Sequence, residues 1–345
     1  MQDNIVRWGI LGTGGIVGDF LDGASGSATG KVAAISARAR ARAWLASEFP
    51  GLDIYEGYDS LLSLPEVDAI YIATPHPFHA EWAIKAAQAG KHVLCEKPAG
   101  MNAAEVEAMI AAASYSGTFL GEAYMYRLHP ITAFILDLLD AGKIGQLRMI
   151  RSSFGFAMPE RNTQHRLFDP ALGGGAILDV GGYPMSIARL LAGHAEGREG
   201  IEPVSIDGQL RRGPTGVDEI ATATAIFSNG IIAQLSASIT LGQDNVLQLV
   251  GTGGRLEVDA FWYGSGKQGG TAHIRFTPPE GQTELIPFTE ERNVYSFQFE
   301  AANEAILAGR ENFESPGMTH TDSLANARAL DRWIAGARHV EPPLF

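Results

Sequence analysis

Short apolar runs alternate with longer amphipathic stretches over the first third of the chain. The runs are almost wholly apolar, which is typical of strands that are buried on both faces. They occupy residues 6–11, 32–36, 69–73, 92–95 and 118–120. The stretches between them predict helices, among them residues 39–49, 79–89 and 103–114. Repeated strand–helix units of this kind predict an α/β domain with a parallel sheet.

The pattern changes after about residue 127. A helix is expected near 130–141, and the segments beyond it are longer and alternate apolar with polar positions, as in half-buried antiparallel strands. These segments are residues 147–156, 205–212, 219–227 and 231–240. Asn229-Gly230 and the glycine-rich residues 251–254 favour hairpins, and helices are expected at about 296–308 and 322–337. The second part is therefore predicted to be an α+β domain with a large, open, mostly antiparallel sheet.

The chain is long enough for two hydrophobic cores. It has 345 residues, and single cores rarely grow beyond roughly 250–300 residues. We place the boundary where the pattern changes, with one domain at residues 1–124 and the other at residues 125–345. Helices on one face of the second sheet would leave its other face in need of a cover. We therefore expect a homodimer or homotetramer that forms through this C-terminal sheet.

Charge and composition exclude several classes of partner. The formal net charge is −13 and the sequence has no run of Lys or Arg, so neither nucleic acid nor an anionic membrane surface is an expected partner. Cys95 is the single cysteine, so no intrachain disulfide can form, and the N-terminus lacks the features of a secretion signal. No apolar run approaches the 18 or so residues that a membrane span requires. We expect a cytoplasmic protein.

A glycine-rich turn follows the first predicted strand and opens a helix. It comprises Gly12, Thr13, Gly14, Gly15 and Ile16. Gly12 permits a tight turn, and Gly14 allows backbone N–H groups to approach a pyrophosphate at the positive end of the helix dipole. Val17 stands where this motif usually has Gly or Ala. The position predicts a dinucleotide-binding Rossmann domain, although a glycine-rich turn without a ligand is the alternative.

The end of the second strand indicates which dinucleotide is bound. Sites that prefer NAD usually place an Asp or Glu there to bind the ribose hydroxyls. This chain instead has Ser36 and Arg38, and a guanidinium suits a 2′-phosphate. Arg40 and Arg42 are interpreted as solvent-facing residues of the next helix. The sequence predicts NADP as the cofactor in preference to NAD.

Two further segments carry candidate chemistry. Glu96-Lys97-Pro98 follows a buried strand at the carboxyl edge of the parallel sheet, where open α/β sheets bind ligands. In the second half, a run of three glycines at 173–175 precedes Asp179 and Tyr183, which would share one face of a continuous α-helix. Alone, the first segment could be a solvated loop. The second could be a loop with an exposed acid and a core tyrosine.

Taken in order, these segments resemble the glucose-fructose oxidoreductase and inositol dehydrogenase family, often written Gfo/Idh/MocA. The resemblance covers nearly the whole chain and is most specific at residues 89–98. Inositol dehydrogenase-like members have histidine at the position of Tyr183. A tyrosine here resembles the branch of the family that contains aldose and dihydrodiol dehydrogenases. The resemblance implies a nicotinamide-dependent oxidoreductase that acts on a sugar or related polyol. It also implies cofactor contacts from Thr74, Pro75, His79, Glu96 and Lys97.

The candidate residues can support hydride transfer at an alcohol carbon. Such a reaction needs a base for the hydroxyl proton, and Tyr183 is a candidate if a cation lowers the high pKa of its phenol. Lys97 can be that cation and can also hold the substrate oxygen, so no metal is needed. Asp179 would orient the hydroxyl or Lys97. The remaining predicted substrate contacts are Arg127, His165 and Arg166.

The sequence thus predicts an NADP-dependent sugar dehydrogenase or reductase. The substrate is expected to be an aldose or a related cyclic polyol, and the direction of the reaction is left open. Within the same family, a dihydrodiol or keto-sugar reductase is the alternative. From another class, a non-catalytic regulator that binds NADP is a further alternative, although such a sensor would not need the base.

Overall fold

The computed structural model describes residues 5–37, 39–158 and 165–340. They form two compact units. The first contains the described residues up to Gly100, together with Ala104–Leu128 and Asn293–Ser323. The second contains the other described residues. A single cut after residue 124 does not describe this arrangement, because a segment near the C-terminus returns to the first unit.

The first unit is built on a six-stranded sheet in which all neighbouring strands are parallel. Its strands are β1 Val6–Leu11, β2 Gly30–Ser36, β3 Asp53–Tyr55, β4 Ala69–Ile72, β5 His92–Cys95 and β6 Leu120–Glu122. The order is β3-β2-β1-β4-β5-β6, so the direction of winding reverses between β1 and β4. Such a reversal opens a crevice at the carboxyl ends of the strands, where ligands bind. The predicted parallel Rossmann sheet is confirmed.

The second unit is built on a nine-stranded sheet. Its strands are β7 Leu147–Gly155, β8 Ser205–Arg212, β9 Asp218–Ile226, β10 Ile232–Ser238, β11 Leu247–Gly251, β12 Gly254–Val258, β13 Gly270–Thr277, β14 Glu284–Glu290 and β15 Arg338–His339. The order is β14-β13-β12-β11-β7-β10-β9-β8-β15. Both predicted hairpins are present, between β9 and β10 and between β11 and β12. The sheet is mostly antiparallel, as predicted, but β7 pairs with β10 and β8 with β15 in parallel.

The helices follow the predicted positions closely. They are α1 Ile16–Ala24, α2 Ala39–Glu48, α3 Tyr58–Leu62, α4 His79–Gln88, α5 Ala103–Ser116, α6 Met125–Leu128, α7 Pro130–Asp140, α8 Gly182–His194, α9 Val294–Leu307 and α10 His320–Gly336. In the described part of the chain, none of these helices has the length and apolar character needed to cross a bilayer.

An aromatic cluster explains why the C-terminal segment joins the first unit. Trp8 on β1, Phe20 on α1 and Tyr71 on β4 are fully buried, and the rings of Phe20 and Tyr71 stack. Phe299 on α9 packs against Trp8 and Phe20, with ring centroids 5.7 and 5.4 Å away. The Trp8 indole also donates a 2.7 Å hydrogen bond to the Asn303 side chain on α9. Helix α9 therefore completes the core of the parallel sheet.

The two faces of the nine-stranded sheet differ in polarity. On one face, buried side chains such as Ile150, Ala223 and Leu235 form the core. On the other, polar side chains are hydrogen-bonded from strand to strand. This polar ladder comprises Gln234, Arg151, Gln248, Glu257 and Arg275 on β10, β7, β11, β12 and β13.

One strand begins later than the sequence predicts. The apolar run at 118–120 was expected to be the last parallel strand, whereas β6 is Leu120–Glu122. The Thr118 amide donates to the Ala113 carbonyl at the end of α5, and the Phe119 amide donates to the His92 ring. Thr118 therefore completes the end of α5. Phe119 bonds to β5, since its carbonyl also accepts from the Val93 amide, and β6 begins at the next residue. Because β6 ends two residues later than predicted, Glu122 rather than Leu120 lies at the carboxyl edge of the parallel sheet.

Candidate functional site

The glycine turn after β1 approaches β4 too closely for a side chain. Gly12 has φ +103°, and a Cβ added there would lie 2.5 Å from the Ala73 carbonyl oxygen. Both facts require glycine. Gly15 differs, because it has αR geometry and a Cβ there would meet nothing within 4 Å. Val17, the unusual third position of the motif, is fully buried in the core of the first unit.

We expect Gly12→Ala to destabilise the protein by about 2–4 kcal/mol, because it combines backbone strain with overpacking. Thermal or denaturant unfolding measures this loss. Gly15→Ala is the matched control, since the same methyl group enters open space at a compatible φ and should leave stability within about 1 kcal/mol. Equal losses in the two variants would contradict the close approach of Gly12 to β4.

The surroundings of this turn fit a dinucleotide. Helix α1 begins at Ile16 and no side chain caps it. The Val17 amide donates to the Gly14 carbonyl, and the positive end of the helix dipole favours an anion at this turn. At the end of β4, the buried Thr74 hydroxyl has no hydrogen-bond partner among the described residues. Ser36 is buried at the end of β2. Gly14 and Thr13 remain partly or fully exposed in the turn. Arg38, the predicted 2′-phosphate contact, lies outside the described residues.

Glu96, Lys97 and Pro98 form the turn that follows β5, at the same edge of the sheet. Lys97 is partly exposed, whereas its neighbours on both sides are buried. The Glu96 carboxylate accepts a 2.5 Å hydrogen bond from the Tyr71 hydroxyl on β4. Burial beside this carboxylate raises the pKa of Tyr71 well above its usual range, so Tyr71 stays a hydrogen-bond donor. The turn thus holds Lys97 on a rigid base.

His79 lies behind the turn. Its imidazole is fully buried, and its two ring nitrogens lie 2.8 Å from the carbonyl oxygens of Thr74 and Pro98. The family resemblance implies that His79 and Pro75 line the cofactor. The contacts of His79 instead favour a positioning role, because the ring joins the ends of β4 and β5. Pro75 lies next to Thr74, at the start of a short 3₁₀ turn.

In the second unit, Asp179 and Tyr183 do not belong to one continuous α-helix. Residues Ile177–Gly181 form a π-helical turn, and α8 begins at Gly182. A π-helical turn is wider than an α-helical one, so residues four positions apart are rotated differently about the axis. The expectation that Asp179 and Tyr183 share one helix face therefore does not hold in its original form. Both side chains are buried. The Tyr183 ring packs edge-on against Phe154 and Trp262, which fixes its orientation.

Asp179 is paired within its own unit. Its carboxylate lies 3.0 Å from the guanidinium of Arg166, whose side chain is 39% exposed while that of Asp179 is 5% exposed. Arg166 can therefore contact both Asp179 and solvent. His165 caps the same short turn by accepting from the Leu167 amide. The structure thus brings together Asp179 and Arg166, which the sequence assigned to the substrate separately.

Asp218 supports the segment that carries Asp179. Its carboxylate accepts a 2.7 Å hydrogen bond from the Ile177 amide at the start of the π-helical turn. Gly175, with φ +121°, leaves the room that this carboxylate occupies, since a Cβ there would overlap it. Gly175 therefore allows close approach of Asp218, a residue that the sequence did not single out.

Asp218 should make stability depend on pH. Burial raises its pKa from 3.8 to about 6, so the folded protein binds this proton more tightly than the unfolded chain does. Its contribution to the free energy of unfolding is therefore greatest below pH 4 and falls as the pH rises through about 6. Denaturant unfolding from pH 4 to 8 measures this slope. Asp218→Asn, which keeps an acceptor, should flatten it, and an unchanged slope would contradict the assignment.

Arg127 does not lie where a substrate contact is expected. Its side chain is 1% exposed. The guanidinium donates to the Pro316 carbonyl and the Asp322 carboxylate, at 2.6 and 2.7 Å. These partners lie on the segment that returns to the first unit. Arg127 thus links α6 to the C-terminal segment inside the first unit, and it is not among the proposed substrate contacts.

Family models match most of the chain. A model described as an oxidoreductase family with an NAD-binding Rossmann fold matches residues 6–124. A model of the GFO/IDH/MocA C-terminal domain matches residues 133–257.

Named relatives align over nearly the full length of the chain. The chain is 31% identical to trans-1,2-dihydrobenzene-1,2-diol dehydrogenase of Xenopus laevis, over 94% of this chain and 96% of the relative. It is 30% identical to D-xylose 1-dehydrogenase (NADP(+)) 2 of Haloferax volcanii, over 94% and 95%. A crystal structure of a mutant of the 3-ketoreductase KijD10 from Actinomadura kijaniata, with TDP-benzene and NADP, aligns with a TM-score of 0.88 and 28% identity. That alignment covers 99% of this chain and 100% of the ketoreductase.

Proposed function

Because the chain belongs to the GFO/IDH/MocA oxidoreductase family, we propose that it transfers a hydride between NADP and a sugar, either an aldose or a related cyclic polyol. The observation that carries this proposal is the shared edge of the parallel sheet. The turn at Gly12 follows β1, which flanks the reversal between β1 and β4, and the turn at Lys97 follows β5, the neighbour of β4, so both turns lie at the carboxyl edge of the sheet. An anion site and a cationic side chain therefore lie at one crevice of the first unit.

NADP is the proposed cofactor. The pyrophosphate would bind at the N-terminus of α1, with Thr74 and Ser36 at the neighbouring strand ends. No carboxylate stands at the end of β2, where a preference for NAD would require one, and Arg38 would bind the 2′-phosphate. The xylose dehydrogenase relative carries NADP in its name, and the ketoreductase was crystallised with NADP. When bound, NADP accepts or returns the hydride.

Lys97 and Tyr183 are proposed to serve the same alcohol oxygen. The Lys97 ammonium would hold that oxygen and stabilise alkoxide character during oxidation, or polarise the carbonyl during reduction. Tyr183 would take or return the hydroxyl proton as the acid–base group. The aromatic packing of Tyr183 fixes the direction of its hydroxyl. We assign acid–base chemistry to the two residues jointly.

Asp179 and Arg166 are proposed to bind the hydroxyls of the substrate next to the reacting carbon. A carboxylate accepts hydrogen bonds from sugar hydroxyls, and a guanidinium donates them. Because the two side chains already pair, a hydroxyl that bridges them would keep both charges satisfied. His165, at the start of the same short turn, is the further proposed contact.

We expect NADPH to bind more tightly than NADH. Titration of the protein with each cofactor, followed by fluorescence, measures the two affinities. Arg38→Ala should weaken NADPH binding by about tenfold or more and leave NADH binding nearly unchanged, since a charge-assisted contact contributes about 1.5–3 kcal/mol. A preference for NADH in the unmodified protein would overturn the cofactor assignment.

The substrate is tested with a panel of aldoses, inositols, dihydrodiols and keto-sugars, followed at the absorbance of NADPH. Turnover of an aldose or cyclic polyol supports the proposal. Turnover confined to dihydrodiols or to dTDP-linked keto-sugars would favour the activities named for the relatives in Xenopus and Actinomadura. Tight NADP binding without turnover of any of these compounds would favour a regulator.

We further propose that the polar face of the nine-stranded sheet binds a second copy of the chain, giving a homodimer or homotetramer. Many of its side chains are exposed, including Thr222, Thr224 and Gln234. They line a shallow depression of about 440 Å³. Light scattering at micromolar concentration should give two or four times the mass of one chain. The mass of a single chain would overturn this proposal.

A further inference from the structure

Glu122 is a buried acid at the carboxyl edge of the first unit, and it faces the turn that carries Lys97. It ends β6, next to β5, where its Cα pairs with that of Cys95. The side chain is 7% exposed. One carboxylate oxygen accepts a 2.9 Å hydrogen bond from the amide of Ala99, two residues after Lys97.

The turn is thereby held from three sides. Tyr71 on β4 fixes Glu96, the residue before Lys97, and His79 on α4 contacts the carbonyl of Pro98, the residue after it. Glu122 holds the amide of Ala99. All three side chains are buried, and they come from three different elements. Such support limits the backbone positions from which the Lys97 side chain projects.

We propose that Glu122 is a positioning residue for Lys97, and that the charge on its carboxylate sets how firmly the turn is held. A carboxylate accepts a stronger hydrogen bond from an amide than a neutral carboxyl group does. This inference rests on the proposed function of Lys97, because it assigns Glu122 an effect on turnover that acts only through that lysine.

The surroundings of Glu122 allow its charge to change in the physiological range. Burial raises its pKa to about 7, although the Ala99 amide, the Ser323 hydroxyl and the Arg127 guanidinium favour the charged form. Asp322 on α10 disfavours that form. From the β5 side, Cys95 and Glu96 also face this region, and burial beside Glu122 and Glu96 raises the pKa of the Cys95 thiol well above its usual range. Cys95 therefore stays neutral while Glu122 titrates.

The expected consequence is an inflection in kcat. As the pH falls through about 7, protonation of Glu122 should loosen the turn and lower kcat, with little change in the affinity for cofactor. Two variants separate charge from contact. Glu122→Gln keeps an acceptor for Ala99 without the charge, whereas Glu122→Met removes the acceptor.

The experiment measures kcat, KM and the cofactor Kd of the full-length protein from pH 5.5 to 9, for the wild type and both variants. We expect Glu122→Met to lower kcat about 10–100-fold, the cost of a misplacement of about 1 Å, with the cofactor Kd within about threefold of wild type. Glu122→Gln, which keeps the acceptor without the charge, should lose less than Glu122→Met, should show at every pH the lower kcat that the wild type approaches below pH 7, and should lack the inflection near pH 7. Persistence of the same inflection in Glu122→Gln, or a wild-type kcat in Glu122→Met, overturns the proposal.

Lys97→Met, measured beside these variants, distinguishes the two levels of inference. If Lys97→Met retains turnover, the proposed function of Lys97 fails, whatever the Glu122 variants do. If Lys97→Met is inactive while both Glu122 variants match the wild type at every pH, the role of Lys97 stands and only the positioning role of Glu122 is lost. If Glu122→Met unfolds, the pH profile of Glu122→Gln still decides the question.

Discussion

Lys97→Met should lower kcat by about 100- to 1,000-fold, which corresponds to about 3–4 kcal/mol of transition-state stabilisation. Methionine keeps the length and apolar stem of lysine but cannot donate a hydrogen bond to the alcohol oxygen. The backbone of the turn is held by contacts of Tyr71, His79 and Glu122 with Glu96, Pro98 and Ala99. The fold and the affinity for cofactor should therefore change little. Steady-state kinetics and a cofactor titration measure the two effects separately.

Lys85→Met is the matched control. Lys85 lies on α4 in the same unit, and its side chain is 42% exposed and paired with Glu81 one helical turn away. The same substitution there removes a cation from the surface without touching the carboxyl edge of the sheet. It should leave kcat within about twofold, because exposed ion pairs of this kind contribute little. Near-normal turnover in Lys97→Met would end the proposed mechanism.

Most of the fold could be predicted from the sequence, because the periodicity of apolar residues is local information. Strands β1 and β5 have the predicted bounds, and both hairpins form where Asn229-Gly230 and the glycines at 251–254 predict them. The parallel pairing of β7 with β10 could not be predicted in this way. Half-buried strands show the same alternation of apolar and polar residues whether they pair in parallel or antiparallel. The direction of pairing depends on contacts between residues distant in sequence.

The site could be predicted only in part, because a motif names the side chains that the chemistry needs but not those that hold them. Lys97 could be singled out because it follows an apolar strand, which places it at the carboxyl edge of the sheet. Glu122 carries the same signal, an acid that ends an apolar strand, but the predicted strand ended two residues too early. The sequence pattern did not predict the π-helical turn before α8. The pairing of Asp179 with Arg166 required coordinates.

Arg127→Met should destabilise the protein by about 3–5 kcal/mol. The guanidinium and the Asp322 carboxylate are 1% and 4% exposed, so removal of the cation leaves a buried negative charge without its partner. The Pro316 carbonyl loses its donor as well. Denaturant unfolding measures the loss. Arg338→Met is the control, since the side chains of Arg338 and Asp207 are 67% and 70% exposed, and stability should change by less than about 0.5 kcal/mol.

A second substitution separates the buried charge from the lost packing. Arg127→Met combined with Asp322→Leu removes both charges, and it should recover much of the stability because apolar residues can replace a buried ion pair at little cost. At temperatures where the single variant stays folded, its KM for substrate should equal that of the wild type, because Arg127 is committed to internal partners. A raised KM with unchanged stability would instead support the substrate contact that the sequence suggested for Arg127.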